Sequence, residues 1–104
     1  MLGALKNLFG GGPKADLSEL IRNGAQIIDV RSKEEYRGGH AKGSVNIPLN
    51  TLMSSLSKIK KDKPVITCCA SGMRSANAKR ILQSNGFSEV HNGGSWQSVQ
   101  SKIR

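Results

Sequence analysis

The chain has 104 residues, of which 37% are hydrophobic and 22% are charged, a composition that fits one small globular domain and argues against a disordered chain. No apolar run approaches the ~20 residues that a membrane-spanning helix needs. The net charge is +9, but four aromatic residues and no stacking or recognition motif argue against nucleic acid as the partner. We expect the excess charge to form a solvated face that attracts small anions.

The two cysteines are neighbours, Cys68 and Cys69, and neither the cysteines nor the two histidines have metal-ligand spacing. Adjacent cysteines also do not form a disulfide framework. A thiol that reacts as a nucleophile has to stay reduced, so we expect a reducing, cytoplasmic compartment.

Residues 1–13 are predicted to be a flexible or amphipathic tail, and residues 14–104 to be the domain. Leu2, Leu5 and Phe9 share one helical face, so the tail could pack on the domain or contact a partner or a membrane. Glycines at 10–12 and Pro13 then predict a flexible break. We favour a loosely packed tail.

Strands and helices are predicted to alternate after this break. Asp16 is a cap for a short helix over 17–22, which Asn23-Gly24 ends, and the apolar run 26–30 has the length of a buried strand. A short strand follows around Val45 and Ile47. Asn50 or Thr51 is then expected to cap a helix that turns four side chains to the core: Leu52, Met53, Leu56 and Ile59.

A run of four lysines comes next, at positions 58, 60, 61 and 63. We interpret it as a solvated turn. The alternative is a docking patch for an acidic partner protein.

The stretch 65–75 is the most informative part of the chain. Three β-branched residues after Pro64 predict a buried strand, and Ser75 is a good N-cap for the helix that follows. Cys69 would then lie at the carboxyl end of a strand and face a helix N-terminus, where a thiol ionises more easily. Strand alternation sends Cys68 the other way, toward the core.

The chain closes with a helix from Ser75 to about Asn85, a turn at Gly86 and a strand over 89–92. Trp96, Val99 and Ile103 share one face of a last helix, which we expect to be buried. Because strands alternate with helices throughout, the sheet should be mainly parallel, with helices on both faces.

The run Cys69-Ala70-Ser71-Gly72-Met73-Arg74-Ser75 has the form Cys-x-x-Gly-x-Arg-Ser and resembles the active-site loop of the rhodanese family of sulfurtransferases. The resemblance extends over nearly all of 16–103 and includes Asp29-Val30-Arg31 with Glu35 after it. It also includes the Gly-His-x-x-Gly-x-x-Asn-x-Pro run at 39–48. The ending Gly86-Phe87-x-x-Val90 with Gly93-Gly94 departs from the family by being one residue shorter before the glycines.

This resemblance implies a small rhodanese-like α/β domain with about five strands. It implies a sulfurtransferase in which the Cys69 thiolate takes a sulfur atom from thiosulfate or a polysulfide, becomes a persulfide, and passes the sulfur to a thiol or to cyanide. Arg74 would orient the loop and the anionic donor, and the backbone N–H groups of 70–75 would stabilise the charged sulfur. Asp29, Arg31, Glu35 and His40 would support the structure. No metal or organic cofactor is implied, and we expect a monomer.

Two alternatives remain. Cysteine-dependent phosphatases and arsenate reductases also use a loop from cysteine to arginine, but with one more residue between the two than the four between Cys69 and Arg74. The protein could instead be a persulfide carrier or a binding module that serves a partner protein.

Overall fold

The computed structural model describes residues 16–103, which form one parallel sheet of four strands in the order β2-β1-β3-β4. The strands are β1 (Gln26–Asp29), β2 (Val45–Asn46), β3 (Val65–Cys69) and β4 (Val90–Ser95). The predicted parallel sheet is confirmed, with four strands in this part of the chain rather than about five. The apolar face at Leu2, Leu5 and Phe9 lies outside the described residues.

Within the described residues, one helix precedes these strands and four others connect or follow them. They are α1 (Leu17–Arg22), α2 (Lys33–Arg37), a 3-10 helix (Leu49–Lys58), α3 (Met73–Ser84) and α4 (Trp96–Gln100). The expected cap of α1 is present, since the Glu19 N–H donates to Asp16 Oδ1 at 3.3 Å. Ser32 caps α2 in a reciprocal box with Glu35, which satisfies two of the free N–H groups at that helix start.

The sheet separates two apolar clusters, so helices cover both of its faces as predicted. On one face, α3 and the 3-10 helix bury side chains against the strands, with Leu52 and Leu82 at the centre. On the other face, α1 and α4 pack over Ile27 and Ile66, and Val99 of α4 is buried against them. Strand β3 is buried along its whole length, which explains its continuous apolar sequence.

The segment after β2 differs from its prediction. It is a 3-10 helix with Pro48 at the N-cap position, so neither Asn50 nor Thr51 caps it. A 3-10 helix has three residues per turn, which aligns Leu52 with Ser55, and both are buried. Met53 is 60% exposed, so its predicted place in the core is wrong.

Two element boundaries also differ from those predicted. Helix α3 begins at Met73, with Gly72 at its N-cap position, so Ser75 lies inside the first turn and is not the cap. Strand β4 runs on to Ser95 and takes in the two glycines that were expected after it. A shift in pairing register, from Thr67 opposite Asn92 to Cys69 opposite Ser95, gives β4 one extra residue there.

Candidate active site

Cys69 is the last residue of β3, and the chain turns back over it through Ala70, Ser71 and Gly72 into α3. Ala70 and Ser71 are exposed, whereas Cys69 itself is 1% exposed. The carboxyl ends of parallel strands are the usual place for a site in an α/β fold. The loop therefore covers the Cys69 sulfur at the end of the sheet where such sites lie.

Three polar groups of the loop surround the Cys69 sulfur. The backbone N–H groups of Gly72 and Ser75 donate to Sγ at 3.0 and 3.4 Å, and the Ser75 hydroxyl oxygen lies 3.4 Å from it. Burial alone would raise the pKa of this thiol. The hydrogen bonds from the Ser75 hydroxyl and from the N–H groups of Ser75, Gly72 and Ser71 outweigh it, so the pKa of Cys69 is lowered. The site favours a thiolate.

Gly72 is needed for this geometry. Its φ of +108° lies in the left-handed region, which residues with a side chain rarely adopt. The turn at this glycine brings its own N–H to the sulfur and starts α3 at the next residue.

Arg74 forms a two-bond ion pair with Glu35, with Nη1–Oε1 2.7 Å and Nη2–Oε2 2.9 Å. Glu35 also accepts a hydrogen bond from the Ser32 N–H at 3.0 Å. Arg74 first, and the Ser32 N–H second, lower the pKa of Glu35 to about 2. The pair ties α3, the helix that follows the Cys69 loop, to α2. Binding of an anionic donor by Arg74 stays a prediction.

A second ion pair is buried at the end of β1. Arg31 binds Asp29 through Nη2–Oδ2 at 2.7 Å and through Nε, and the same Nη2 donates to the Gly39 carbonyl at 2.7 Å. The Trp96 ring lies 5.2 Å from the Arg31 guanidinium. These contacts join β1 to the segment before β2 and to α4, which fits the structural role predicted for Asp29 and Arg31.

His40 is exposed and contacts α2. Its Nδ1 lies 2.7 Å from the Tyr36 carbonyl oxygen, and its ring stacks on the Tyr36 ring with 3.8 Å between centroids. This geometry also fits a structural role.

Cys68 lies on the opposite face of β3, packed in the cluster with Ile27, Ile66 and Val99. Burial, and then the negative charge of Asp29, raise the pKa of this thiol to about 12. Its predicted burial in the core is confirmed.

The sequence profile of the rhodanese-like domain family matches residues 13–102 of the chain. The chain belongs to the rhodanese-like domain family. This match covers every strand and helix described above.

Several relatives of this rhodanese-like domain have been named. Over 85 residues it is 33% identical to the thiosulfate sulfurtransferase GlpE of Pseudomonas paraeruginosa (strain DSM 24068 / PA7), covering 78% of this chain and 77% of that protein. It is 35% identical over 74 residues to the thiosulfate sulfurtransferase PspE of Escherichia coli K12, with 69% and 71% coverage. It is 44% identical over 68 residues to YqhL of Bacillus subtilis, an uncharacterized protein; that match covers 65% of this chain and 54% of YqhL.

The fold is also similar to that of the human single-domain sulfurtransferase TSTD1. The two structures superpose with a TM-score of 0.74 at 28% sequence identity, over 84% of this chain and 91% of the human protein. The small parallel α/β architecture of this rhodanese-like chain is therefore shared with its relatives.

Two residues of this site were not singled out from the sequence. Thr67 is buried in β3 and donates its hydroxyl proton to the Ser75 carbonyl at 2.9 Å. Asn92 in β4 accepts a hydrogen bond from the Ser75 hydroxyl, with 2.6 Å between the oxygens. The sequence signal for Asn92 was its position directly before Gly93-Gly94, at the carboxyl end of a predicted strand.

A groove of about 600 Å³ borders the loop at Arg74 and lies between the starts of α2 and the 3-10 helix. Lys33 and Arg37 line it together with Arg74, and Glu34 contributes one negative charge. Among residues 16–103, no group of three or more histidine, cysteine, aspartate or glutamate side chains is placed to hold a metal ion. Within the same residues, no helix has the length and apolar character for crossing a membrane.

Proposed function

We propose that this rhodanese-like domain is a thiosulfate sulfurtransferase that works through a persulfide on Cys69. The observation that carries the proposal is the set of N–H groups aimed at one sulfur atom, with Gly72 N at 3.0 Å and Ser75 N at 3.4 Å. These donors favour the thiolate, which is the nucleophilic form of cysteine. The names of GlpE and PspE support thiosulfate as the donor.

In the first step, the Cys69 thiolate attacks the outer sulfur of thiosulfate. A new sulfur–sulfur bond forms on Cys69, the bond to the sulfonate breaks, and sulfite leaves with the electron pair. The negative charge ends on the outer persulfide sulfur, within reach of the loop N–H groups. Such fixed donors stabilise a developing charge without having to reorganise.

In the second step, a thiolate or cyanide attacks that outer sulfur. The acceptor becomes a persulfide or thiocyanate, and the Cys69 thiolate is regenerated, so the cycle is a two-step covalent exchange. The groove beside Arg74 favours the binding of anionic donors or acceptors, because Lys33 and Arg37 add positive charge near the loop. A reducing, cytoplasmic setting would keep both thiols reduced.

Phosphatase chemistry has less support. Arg74 directs two of its N–H groups at Glu35, and Cys69 is 1% exposed beneath a loop with four residues between cysteine and arginine. A phosphoryl group brings three equatorial oxygens that need a wider ring of donors. A persulfide needs space for one more sulfur atom.

The direct test is mass spectrometry of the intact protein after exposure to thiosulfate, followed by peptide mapping. We expect the mass to rise by one sulfur atom, carried by Cys69 and removed by cyanide. The Cys69→Ser variant should gain no sulfur, and the matched Cys68→Ser variant should gain it as the wild type does. Sulfur added to neither cysteine, or to Cys68 alone, would overturn the proposal. A persulfide that forms but is released only to one protein partner would identify a carrier instead.

A further inference from the structure

The Ser75 hydroxyl lies among three groups that compete for one proton. Its Oγ is 2.6 Å from Asn92 Oδ1, 3.0 Å from the Gly72 carbonyl oxygen and 3.4 Å from Cys69 Sγ. Ser75 is fully buried. Because a serine hydroxyl carries a single proton, it can donate to one of these groups at a time, and the shortest contact is the one to Asn92.

The orientation of the Asn92 amide follows from two backbone contacts. The Gly94 N–H donates to Asn92 Oδ1 at 2.9 Å, and Asn92 Nδ2 donates to the Gly72 carbonyl at 3.3 Å. A backbone N–H can only donate and a carbonyl can only accept. The amide oxygen of Asn92 therefore faces Ser75, and in this contact Asn92 is the acceptor.

We propose that Asn92 is a positioning residue that holds the Ser75 hydroxyl away from the sulfur while Cys69 is a thiol, and that the hydroxyl turns to the sulfur when Cys69 ionises. While Cys69 is a thiol, its S–H can donate to the free lone pair of Ser75 Oγ. A thiolate has no proton and can only accept. If the Ser75 hydroxyl stayed directed at Asn92, a lone pair of Ser75 Oγ would face the negative charge of the Cys69 sulfur.

The turn of the hydroxyl breaks no covalent bond, and the S–H proton is the one that leaves for solvent. Asn92 Oδ1 keeps the Gly94 N–H as a donor, so the turn leaves no buried acceptor without a partner. Asn92 thus opposes ionisation of Cys69 through Ser75, while its Nδ2 bond to the Gly72 carbonyl ties the loop to β4. The inference rests on the proposed function in one respect, because it takes Cys69 as the reacting residue.

Other titratable or charged groups lie on the elements around this site, and the test leaves all of them unchanged except the Cys68 thiol, which is replaced throughout. They are Cys68 on β3, Asp29 on β1 with Arg31 after it, Arg74 on α3, Glu35 on α2, and His91 with Glu89 beside it on β4.

The test is the pH dependence of the rate at which iodoacetamide alkylates Cys69, measured in a Cys68→Ser background. Asn92→Ala removes the strongest competing acceptor, so the hydroxyl is free for the sulfur. At pH values below the pKa of Cys69, we expect alkylation to be about threefold faster than in the Cys68→Ser protein. This factor corresponds to part of the free energy of one hydrogen bond. Asn92→Asp keeps the shape but binds the Ser75 proton more strongly, so we expect slower alkylation there.

The opposite signs of the two variants separate this role from a merely structural one, which would slow both. The control introduces the same two substitutions into a Ser75→Ala background. There, Asn92→Ala should no longer change the alkylation rate. Asn92→Asp should change it only through the electrostatic effect of the added carboxylate. Equal slowing by both variants, or an unchanged effect without the hydroxyl, would overturn the proposal. If Asn92→Ala does not fold, Asn92→Asp is compared with and without the Ser75 hydroxyl, and slowing that is as large in the Ser75→Ala background would overturn the proposal. No sulfur donor is used, so the result is independent of the test for sulfur transfer.

Discussion

The two neighbouring cysteines at the end of β3 have opposite environments. Cys68 packs on the α1 and α4 side of the sheet, where burial raises the pKa of its thiol to about 12. Cys69 is equally covered, but it lies at the loop, where hydrogen bonds from Ser75 and Gly72 reverse the effect of burial. Burial alone therefore does not distinguish the two thiols. The pKa of Cys68 is raised by burial and by the charge of Asp29, whereas the N–H groups of the loop reach Cys69 alone and lower its pKa.

An ion pair also lies near each of the two thiols. The buried pair of Asp29 and Arg31 lies at the end of β1, next to Cys68, and the half-exposed pair of Arg74 and Glu35 joins the loop helix above Cys69 to α2. The contrast between a cysteine with a raised pKa and one with a lowered pKa can thus be tested at the sulfur, at the loop and at the Arg74–Glu35 pair.

The largest effect is expected at the sulfur atoms themselves. Cys69→Ser should lower thiosulfate turnover by more than about 10³-fold, because it removes the proposed nucleophile. Cys68→Ser should retain most of the activity, and both rates are measured as thiocyanate formed with cyanide as acceptor. A folded Cys68→Ser protein without activity, beside an active Cys69→Ser, would reverse the assignment.

The sequence predicted the parts of this contrast that depend on local pattern. Strand alternation placed Cys68 in the core, and the strand–loop–helix order placed Cys69 at the carboxyl end of the sheet. The pairing of Arg74 with Glu35 and the contact of Ser75 with Asn92 join residues that are far apart in the chain. No local pattern specifies such contacts, because they depend on how the elements pack.

The errors in the prediction have local physical causes. Met53 was placed by the period of an α-helix, and the 3-10 period turns it outward. Ser75 was taken as a cap by residue type. The left-handed turn at Gly72 moves the cap three residues earlier, so Ser75 lies in the first turn of α3 and contacts the sulfur.

The next effect is expected from lengthening the loop. One glycine inserted after Gly72 should lower sulfur transfer by about 10²-fold, because it moves the N–H groups away from Cys69 while leaving the surroundings of Cys68 intact. The wider loop could admit phosphate or arsenate. The insertion variant and the wild type are compared for thiosulfate turnover and for hydrolysis of a phenyl phosphate.

A matched control inserts one glycine after Gly86, in the turn after α3, and should leave both activities unchanged. Robust phosphatase activity in the wild type that is lost in Cys69→Ser would contradict the sulfur chemistry. Sulfur transfer unchanged by the insertion after Gly72 would show that the length of the loop does not set the geometry at Cys69.

The smallest effect is expected at the pair that supports the loop, and it depends on pH. Glu35 has a pKa of about 2 in the folded protein, against 4.5 as the ordinary value, chiefly because Arg74 and the Ser32 N–H bind its carboxylate. A carboxyl group whose folded pKa is lowered stabilises the protein above its unfolded pKa and loses that contribution as the pH falls through the folded value. Glu35→Gln should therefore unfold more easily than the wild type at pH 7. The difference should shrink between about pH 4.5 and pH 2.

Because both side chains are more than one-third exposed, solvent screens the pair, and we expect a loss of less than about 1 kcal/mol at pH 7. Urea unfolding of both proteins at several pH values measures it. Glu34→Gln removes the same charge from the same turn of α2 but leaves the Arg74–Glu35 pair intact, so the difference between the two variants is the contribution of the Glu35 bonds to Arg74 and Ser32. A difference that stays constant down to pH 2 would mean that the carboxylate of Glu35 does not stabilise the folded state through Arg74. In that case the loop above Cys69 would be held by its hydrogen bonds to β3 and β4 alone.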